Sequence, residues 1–348
     1  MLSLHRHIYA YGSQTSSIFG HLVLNRDGMV LGYSHPNEYQ WRAVTSEQIE
    51  FLTKSGEASS RLHRHSSAAW LGQSTTSNFP LMLVSVLEGG AAQAPGPAIV
   101  INSIPKSGTY FTAKALATAG FPDSGFHLGG RQTVDDFRGL PDEVRHRNPH
   151  LRRLNLPVDL VPLIAPGTVT PAHIEHEDTI ARLRSYGTHV IHLKRDLRNV
   201  VVSLYRFKLA AVDPVSDLDK AWRLLPEPQR LAAFLLYYAD RDIAHLRSVA
   251  LQVANQPALT FEDISEGKVA DEVAVTLNEI RPGLSTAFAE GLLSVRGTKS
   301  STLSSARSEW SQHWTGEIQA IFTALGLEDA NRRLGYGDGQ RLQSGYLA

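Results

Sequence analysis

The stretch Ala98-Ile99-Val100-Ile101-Asn102-Ser103, followed by Ile104-Pro105-Lys106-Ser107-Gly108-Thr109-Tyr110, constrains the fold more than any other. Its first half is a short apolar run rich in β-branched residues, the pattern of a strand buried on both faces. The run ends in Pro-Lys-Ser-Gly-Thr, and a helical pattern follows through Phe111, Ala115, Leu116 and Ala119. Strand, tight polar loop and helix in that order build an anion site. Loop N–H groups and the first helical turn converge on one point, where the helix dipole adds partial positive charge. Gly108 permits close backbone approach, Ser107 and Thr109 carry hydroxyls, and Lys106 carries a full charge. A Walker A loop, G-x-x-x-x-G-K-[ST], places Lys after the glycines, and no such string occurs in the chain. An ordinary nucleoside triphosphatase is therefore disfavoured.

A second segment has matching logic. His189-Val190-Ile191-His192-Leu193 reads as another short strand, and Lys194-Arg195-Asp196-Leu197-Arg198-Asn199 leads into a helix through Phe207. Asp196 stands where a helix N-cap belongs. Arg195, at the strand's end, can fork onto a phosphate with two charge-assisted hydrogen bonds. Ser203 lies about two turns further on and can donate one more.

Together these segments resemble the sulfotransferase family, whose 5′-phosphosulfate loop reads P-K-S-G-T-[TS]-[WF] and whose 3′-phosphate motif reads R-[DN]-P-[RK]-[DN]-x-x-x-S-x-[YF]. Leu197 replaces the family's usual Pro, a residue merely favoured at a first helical turn. The resemblance spans residues 98–348, with both motifs in the family's order and looser matches elsewhere. It implies an α/β fold, a P-loop-like three-layer domain with a central parallel sheet. It also implies transfer of a sulfuryl group from 3′-phosphoadenosine 5′-phosphosulfate to an acceptor hydroxyl, a carbohydrate hydroxyl among the options, leaving 3′,5′-adenosine bisphosphate. Lys106, Ser107, Gly108, Thr109 and Tyr110 would cradle the 5′ end, and Arg195 and Ser203 the 3′-phosphate. Ala258-Leu259-Thr260-Phe261-Glu262-Asp263 resembles the family's [LY]-x-[YF]-E-D segment, which puts Phe261 against the adenine or, equally, in the core. Arg307 to Glu317, around Trp310, and Leu334-Gly335-Tyr336 resemble family C-terminal elements. Arg296, Lys299 and Arg307 compete for the basic residues that precede that Trp, with Arg296 taken first.

Alcohols need a general base, and an imidazole suits neutral pH. Many family members place one upstream of the 3′-phosphate motif, and Thr170-Pro171-Ala172-His173-Ile174 is the nearest equivalent. His173 is the first candidate, with His176 and Glu175 as rivals. The His173-x-x-His176 spacing lacks a second ligand pair, so no metal is expected. The alternatives are an atypical ATP-dependent kinase of a nucleotide or small molecule, and a non-catalytic glycan-binding protein.

Residues 1–88 read differently, as a small antiparallel β domain joined through a linker at 89–97 to an α/β domain at 98–348. Gly20–Leu24 and Met29–Tyr33 flank a turn at Asp27-Gly28, a strong hairpin signal, and further short runs follow at 39–44, 49–52, 68–71 and 81–87. Such spacing suits a small sheet or barrel. Asn37-Glu38-Tyr39-Gln40-Trp41 reads as a core Trp behind a polar turn in preference to a sugar-contacting patch, and His63-Arg64-His65 as a solvated strand face. Irregular substrate-facing loops with short helices are expected at 131–165, and one long helix at 229–251. Lys+Arg and Asp+Glu are equal at 34, so no global field attracts nucleic acid. The chain has no cysteine, which excludes thiolate chemistry. The first residues lack the apolar core of a signal peptide, and no apolar run is long enough to span a bilayer, so a cytoplasmic protein is expected.

Overall fold

The computed structural model describes residues 4–15, 17–88, 96–129, 135–136, 154–156, 166–227, 229–296 and 310–337. The first unit is built from β1 (His7–Ser13), β2 (Ile18–Leu24), β3 (Val30–Leu31), β4 (Gln40–Thr45), β5 (Gln48–Leu52), β6 (Ala58–Arg64), β7 (Ala69–Ser74) and β8 (Pro80–Glu88). These form one 8-stranded antiparallel sheet in the order β3-β2-β1-β8-β7-β6-β5-β4. Its two ends meet through an antiparallel bridge between Met29 and Gln40. Trp41 N also donates to Gly28 O at 2.8 Å. The sheet thus closes on itself and leaves no long unpaired edge. Tyr9, Tyr11, Leu22, Leu24, Ile49, Phe51, Leu62, Trp70 and Leu83 pack inside. Trp41 packs against that core while its indole N–H donates to Asn25 O at 2.7 Å. His63 stands exposed on β6, and Arg64 pairs with Glu47.

The second unit begins with β9 (Ile99–Ser103), α1 (Thr109–Thr118), β10 (Phe126–Leu128), β11 (Asp135–Asp136), β12 (Leu154–Leu156) and β13 (Val169–Ala172). It continues through α2 (Glu177–Ser185), β14 (His189–Lys194), α3 (Leu197–Ala211), α4 (Asp217–Arg223), α5 (Gln229–Tyr237) and α6 (Ala244–Ala254). The last elements are β15 (Ala258–Thr260), α7 (Phe261–Glu266), α8 (Asp271–Ile280), α9 (Leu284–Val295), α10 (Gly316–Ala324) and α11 (Leu327–Arg333). The sheet order is β11-β12-β10-β13-β9-β14-β15, parallel except for β11. The fold is therefore mixed α/β, with a parallel sheet and a separate antiparallel one.

β9 is buried along its whole length, as its composition requires. Ile99 and Ile101 face α1, α8 and α9. α1 and α9 approach closely at Gly291, where a Cβ would lie 2.5 Å from Ala115 O. Val100 faces the other side, in a cluster with Ile180 and Leu183 of α2 and with Ile8 and Val23 of the first unit. The antiparallel unit therefore helps to cover one face of the parallel sheet.

One expectation fails. The run at 229–251 is not one helix: a π-helical turn at Ala239–Ile243 separates α5 from α6. Ile243 N reaches back to Tyr238 O, an insertion that no Gly or Pro announces. The described parts of 131–165 are strands at the sheet edge, where β12 pairs with β10. The remainder of that segment, and most of the linker, lie outside the described residues.

Candidate functional site

β9 and β14 are neighbours in parallel register, so their C-terminal ends lie side by side. The loop after β9 turns where Ser107 N donates to Ile104 O at 3.1 Å. Lys106 takes φ +70°, a rare conformation for a residue with a Cβ, and Gly108 takes φ +94°. A Cβ at Gly108 would also crowd Ile264 Cδ1 and Phe261 Cδ2 at 3.2 Å. Gly108 is the N-cap of α1 and, having no side chain, makes no cap hydrogen bond there; a helix end of this kind presents its first-turn N–H groups to an anion. Ser107 is fully buried and its hydroxyl lacks a hydrogen-bond partner. The Thr109 hydroxyl bonds Ser103 Oγ at 2.5 Å, within the fold.

Arg195 follows β14 and is 7 % exposed. Its Nη1 donates to Lys106 O at 2.9 Å, and its Nε has no partner. The guanidinium lies 3.9 Å above the Phe261 ring. Phe261 thus carries Arg195 on one side and touches the Gly108 region on another. Lys106 Nζ sits 4.2 Å from the centre of the Phe207 ring. Burial, with Arg195 adding repulsion, lowers the Lys106 ammonium from 10.5 to about 8. Burial also pushes Arg195 down, against the pull of Glu262, Tyr336 and Asp196. Two cations 89 positions apart in the chain are therefore held together in a desolvated place.

Asp196 caps α3 by accepting from Arg198 N at 2.9 Å. Asn331 of α11 holds the same turn, accepting from Leu197 N at 2.8 Å and donating to Asp196 Oδ1 at 3.2 Å. Tyr336 OH donates to Glu262 Oε2 at 2.9 Å. Ser203 is half-buried on α3, four residues before Phe207 and so on the helix face that meets Lys106. Arg296 is the exposed residue closing α9, and no hydrogen bond or ion pair joins it to this cluster. Lys299 and Arg307 lie outside the described residues.

His173 follows β13 on the other side of β9. Its Nδ1 lies 2.7 Å from Ser103 O. A carbonyl only accepts, so Nδ1 bears the proton and Nε2 the lone pair. The adjoining Ile174 is clamped by Asn102, which accepts from Ile174 N at 2.7 Å and donates to Ile174 O at 3.3 Å. Gln252 of α6 braces Asn102 at 2.8 Å. Around His173 stand His127 at 5.0 Å and His245 at 6.5 Å between ring centres, with Tyr110 6.3 Å from His127. Glu175 Oε1 accepts from His245 Nδ1. His176 is exposed at the N-cap of α2. No three of these groups are placed to share a metal ion among the described residues. His245 had no signal in the sequence; it is one of 15 histidines, and only the packing of α6 brings it here.

A cleft of about 380 Å³, lined among others by Arg184, His189, His192 and Thr276, lies at the opposite, N-terminal end of β14, remote from Lys106. No helix among the described residues is long and apolar enough to cross a membrane.

No protein-family model matches the chain, and no curated protein sequence matches it. Among solved structures it is similar to mouse sulfotransferase SULT7A1 complexed with PAP, at 16 % identity and a TM-score of 0.38. That alignment covers 79 % of this chain and 98 % of the mouse one. Neither number is high enough to assign a fold family.

Proposed function

We propose that this chain is a sulfotransferase that uses 3′-phosphoadenosine 5′-phosphosulfate to modify an acceptor hydroxyl, on a P-loop-like α/β scaffold. The observation that carries the reading is the hydrogen bond from Arg195 to the Lys106 carbonyl, which joins the two phosphate-type motifs at one site. The buried Arg195 and half-buried Lys106, with an orphan Ser107 hydroxyl, an orphan Arg195 Nε and the N-terminus of α1, form a set of donors suited to an anion. A doubly phosphorylated nucleotide fits that set chemically, because its charge relieves the repulsion and its oxygens accept the unused hydrogen bonds.

In this reading Lys106, Ser107 and the N–H groups opening α1 hold the 5′ end, while Arg195 and Ser203 hold the 3′-phosphate. The nucleotide supplies an already activated sulfuryl group. Lys106 neutralises the charge that grows on the departing phosphate oxygen. His173, its tautomer fixed by Ser103 O, accepts the acceptor's proton at Nε2. Asn102 holds the His173 segment in place through Ile174. The work is positioning and charge neutralisation, as in phosphoryl transfer.

Titration calorimetry with 3′,5′-adenosine bisphosphate against ATP-Mg²⁺ tests the nucleotide, and labelled sulfate donor with a panel of carbohydrate, alcohol and phenol acceptors tests transfer. Preference for the bisphosphate and labelled product are expected. Tighter binding of ATP-Mg²⁺ would point to the kinase alternative and refute the proposal.

A further inference from the structure

Asn102 is fully buried near the end of β9, a strand that otherwise opens Ile-Val-Ile. A buried amide is tolerated only where both its ends are met, and the partners of Asn102 run in one line to the surface. Asn102 Nδ2 donates to Gln252 Oε1 at 2.8 Å, and Gln252 Nε2 donates to Glu177 Oε2 at 3.0 Å. Gln252 is buried on α6, whereas the Glu177 side chain is half exposed in the first turn of α2. Arg184 Nη1 and Gln256 Nε2 also donate to that carboxylate, at 3.4 and 3.1 Å. A carboxylate only accepts, so the outer end of the line dictates its direction. Glu177 takes the amide N–H of Gln252, which turns the Gln252 oxygen to Asn102. That oxygen takes the amide N–H of Asn102, which leaves the Asn102 oxygen for Ile174 N at 2.7 Å. Flipping either amide would set oxygen against oxygen.

Ile174 directly follows His173, just beyond the last ladder pair of β13 with β9, Ala172 opposite Asn102. There the Asn102 side chain stands in for a strand, accepting from Ile174 N and donating to Ile174 O at 3.3 Å. From the other side His173 N donates to Leu128 O at 3.1 Å. The backbone of His173 is thus gripped from β9 and from the end of β10 at once, and its ring meets Ser103 O through Nδ1 at 2.7 Å. Resting on the sulfotransferase reading, we infer that Gln252 and Glu177 are positioning residues for His173. The Glu177 carboxylate orients both buried amides, and the inner amide holds the chain beside His173 so that Nδ1 stays on the Ser103 carbonyl. Gln252 and Glu177 act only through Asn102 and Ile174, so their loss displaces the base and leaves the phosphate motifs as they are. A shift of about 1 Å at a catalytic group costs up to about a hundredfold in rate.

Gln252→Leu, Glu177→Ala and Glu177→Gln test this. Gln252→Leu removes both links. Glu177→Ala removes only the outer acceptor at a half-exposed side chain, and serves alone should Gln252→Leu fail to fold. Glu177→Gln keeps an oxygen for Gln252. Rates are read with labelled sulfate donor and the acceptor that the wild type uses best in the panel named above. Against wild type, kcat should fall about tenfold or more in Gln252→Leu and about three- to tenfold in Glu177→Ala, and Glu177→Gln should restore it to within about twofold. Affinity for 3′,5′-adenosine bisphosphate should stay within about twofold in all three, because the phosphate motifs are not reached by the change. In ¹⁵N-histidine NMR of the bisphosphate-bound protein, His173 signals are assigned by their loss in His173→Gln. They should report the Nδ1–H tautomer in wild type and Glu177→Gln, and a mixture of tautomers in the other two. Loss of packing alone would lower thermal stability and leave that signature unmoved. A wild-type rate and His173 signature in Glu177→Ala overturn the inference, as does an equal loss in Glu177→Ala and Glu177→Gln, or a loss confined to bisphosphate affinity. Failure of the wild type to bind the bisphosphate is a different result, and sinks the sulfotransferase reading with it.

Discussion

Replacing Lys106 by Met should make the folded protein more stable at neutral pH while abolishing nucleotide binding. In the free protein the ammonium is desolvated and repelled by Arg195, and its pKa falls from 10.5 to about 8. Contact with the Phe207 ring at 4.2 Å offsets only part of this. The unfolded chain binds the proton more tightly, so between pH 8 and 10.5 the unfolded state holds more protons and stability rises with pH. Below pH 8 the penalty is present in full, with an upper bound of about 3 kcal/mol from that difference in pKa. Met keeps the length and apolar stem without the charge. Urea denaturation at pH 7 should show Lys106→Met more stable than wild type by about 1–3 kcal/mol, and the gap should shrink towards pH 10. Calorimetry on the same sample should show no binding of 3′,5′-adenosine bisphosphate. A variant less stable than wild type at pH 7, or a gap independent of pH, refutes the idea that this lysine is held at a cost for a ligand's sake.

Affinity for 3′,5′-adenosine bisphosphate should be about tenfold weaker at pH 9 than at pH 7. The bound phosphate needs the charged amine, which the free protein gives up near pH 8; calorimetry at both values checks it. His192 is 2 % exposed, neither ring nitrogen has a hydrogen-bond partner, and burial lowers its pKa to about 4. The unfolded state binds its proton first as pH falls from about 6.5, so His192→Leu should shift the acid-denaturation midpoint to lower pH, an effect bounded at about 3 kcal/mol and read by circular dichroism. Asp196→Ala removes the α3 cap and one partner of Asn331, which should cost about 1–3 kcal/mol in urea denaturation and weaken bisphosphate binding through Arg195.

The parts of the site that could be read from the sequence are those whose chemistry is local. A β-branched run, a Lys-Ser-Gly-Thr turn and a helical pattern specify Lys106, Ser107 and Gly108 within a dozen residues. Asp196 announces itself as a cap directly after a strand, and the structure has it accepting from Arg198 N. What escaped depends on contacts between distant residues. Phe261 appeared as a candidate adenine contact, but that Arg195 lies on its ring follows from β14 and β15 being neighbours. Thr109 offered a hydroxyl in the sequence, and only the approach of Ser103 engages it. His245 looks like any half-buried helical histidine until α6 is packed. β1 carries no strand signal because Gly12 interrupts the apolar alternation, and β6 shows one only at its His63-Arg64 end because Ser59-Ser60-Arg61 interrupt the rest.

The two sides of the site rest on opposite ends of the chain. Arg195 and the start of α3 are braced from the C-terminal side: Asn331 holds the Asp196 turn, Glu328 pairs with Arg198 at 2.8 Å, and Tyr336 bonds Glu262 beneath Arg195. The strands that carry His127 and His173 are braced from the N-terminal side, where Ile8 and Val23 of the closed antiparallel sheet pack with Phe126, Leu128, Ala172 and Ile174. Well-packed interfaces transmit displacement instead of absorbing it. The antiparallel unit is therefore placed to set how the histidine side meets the phosphate side, and β9 is the element common to both. Its Ser103 receives His173, its Asn102 clamps Ile174, and its continuation is the loop that bears Lys106.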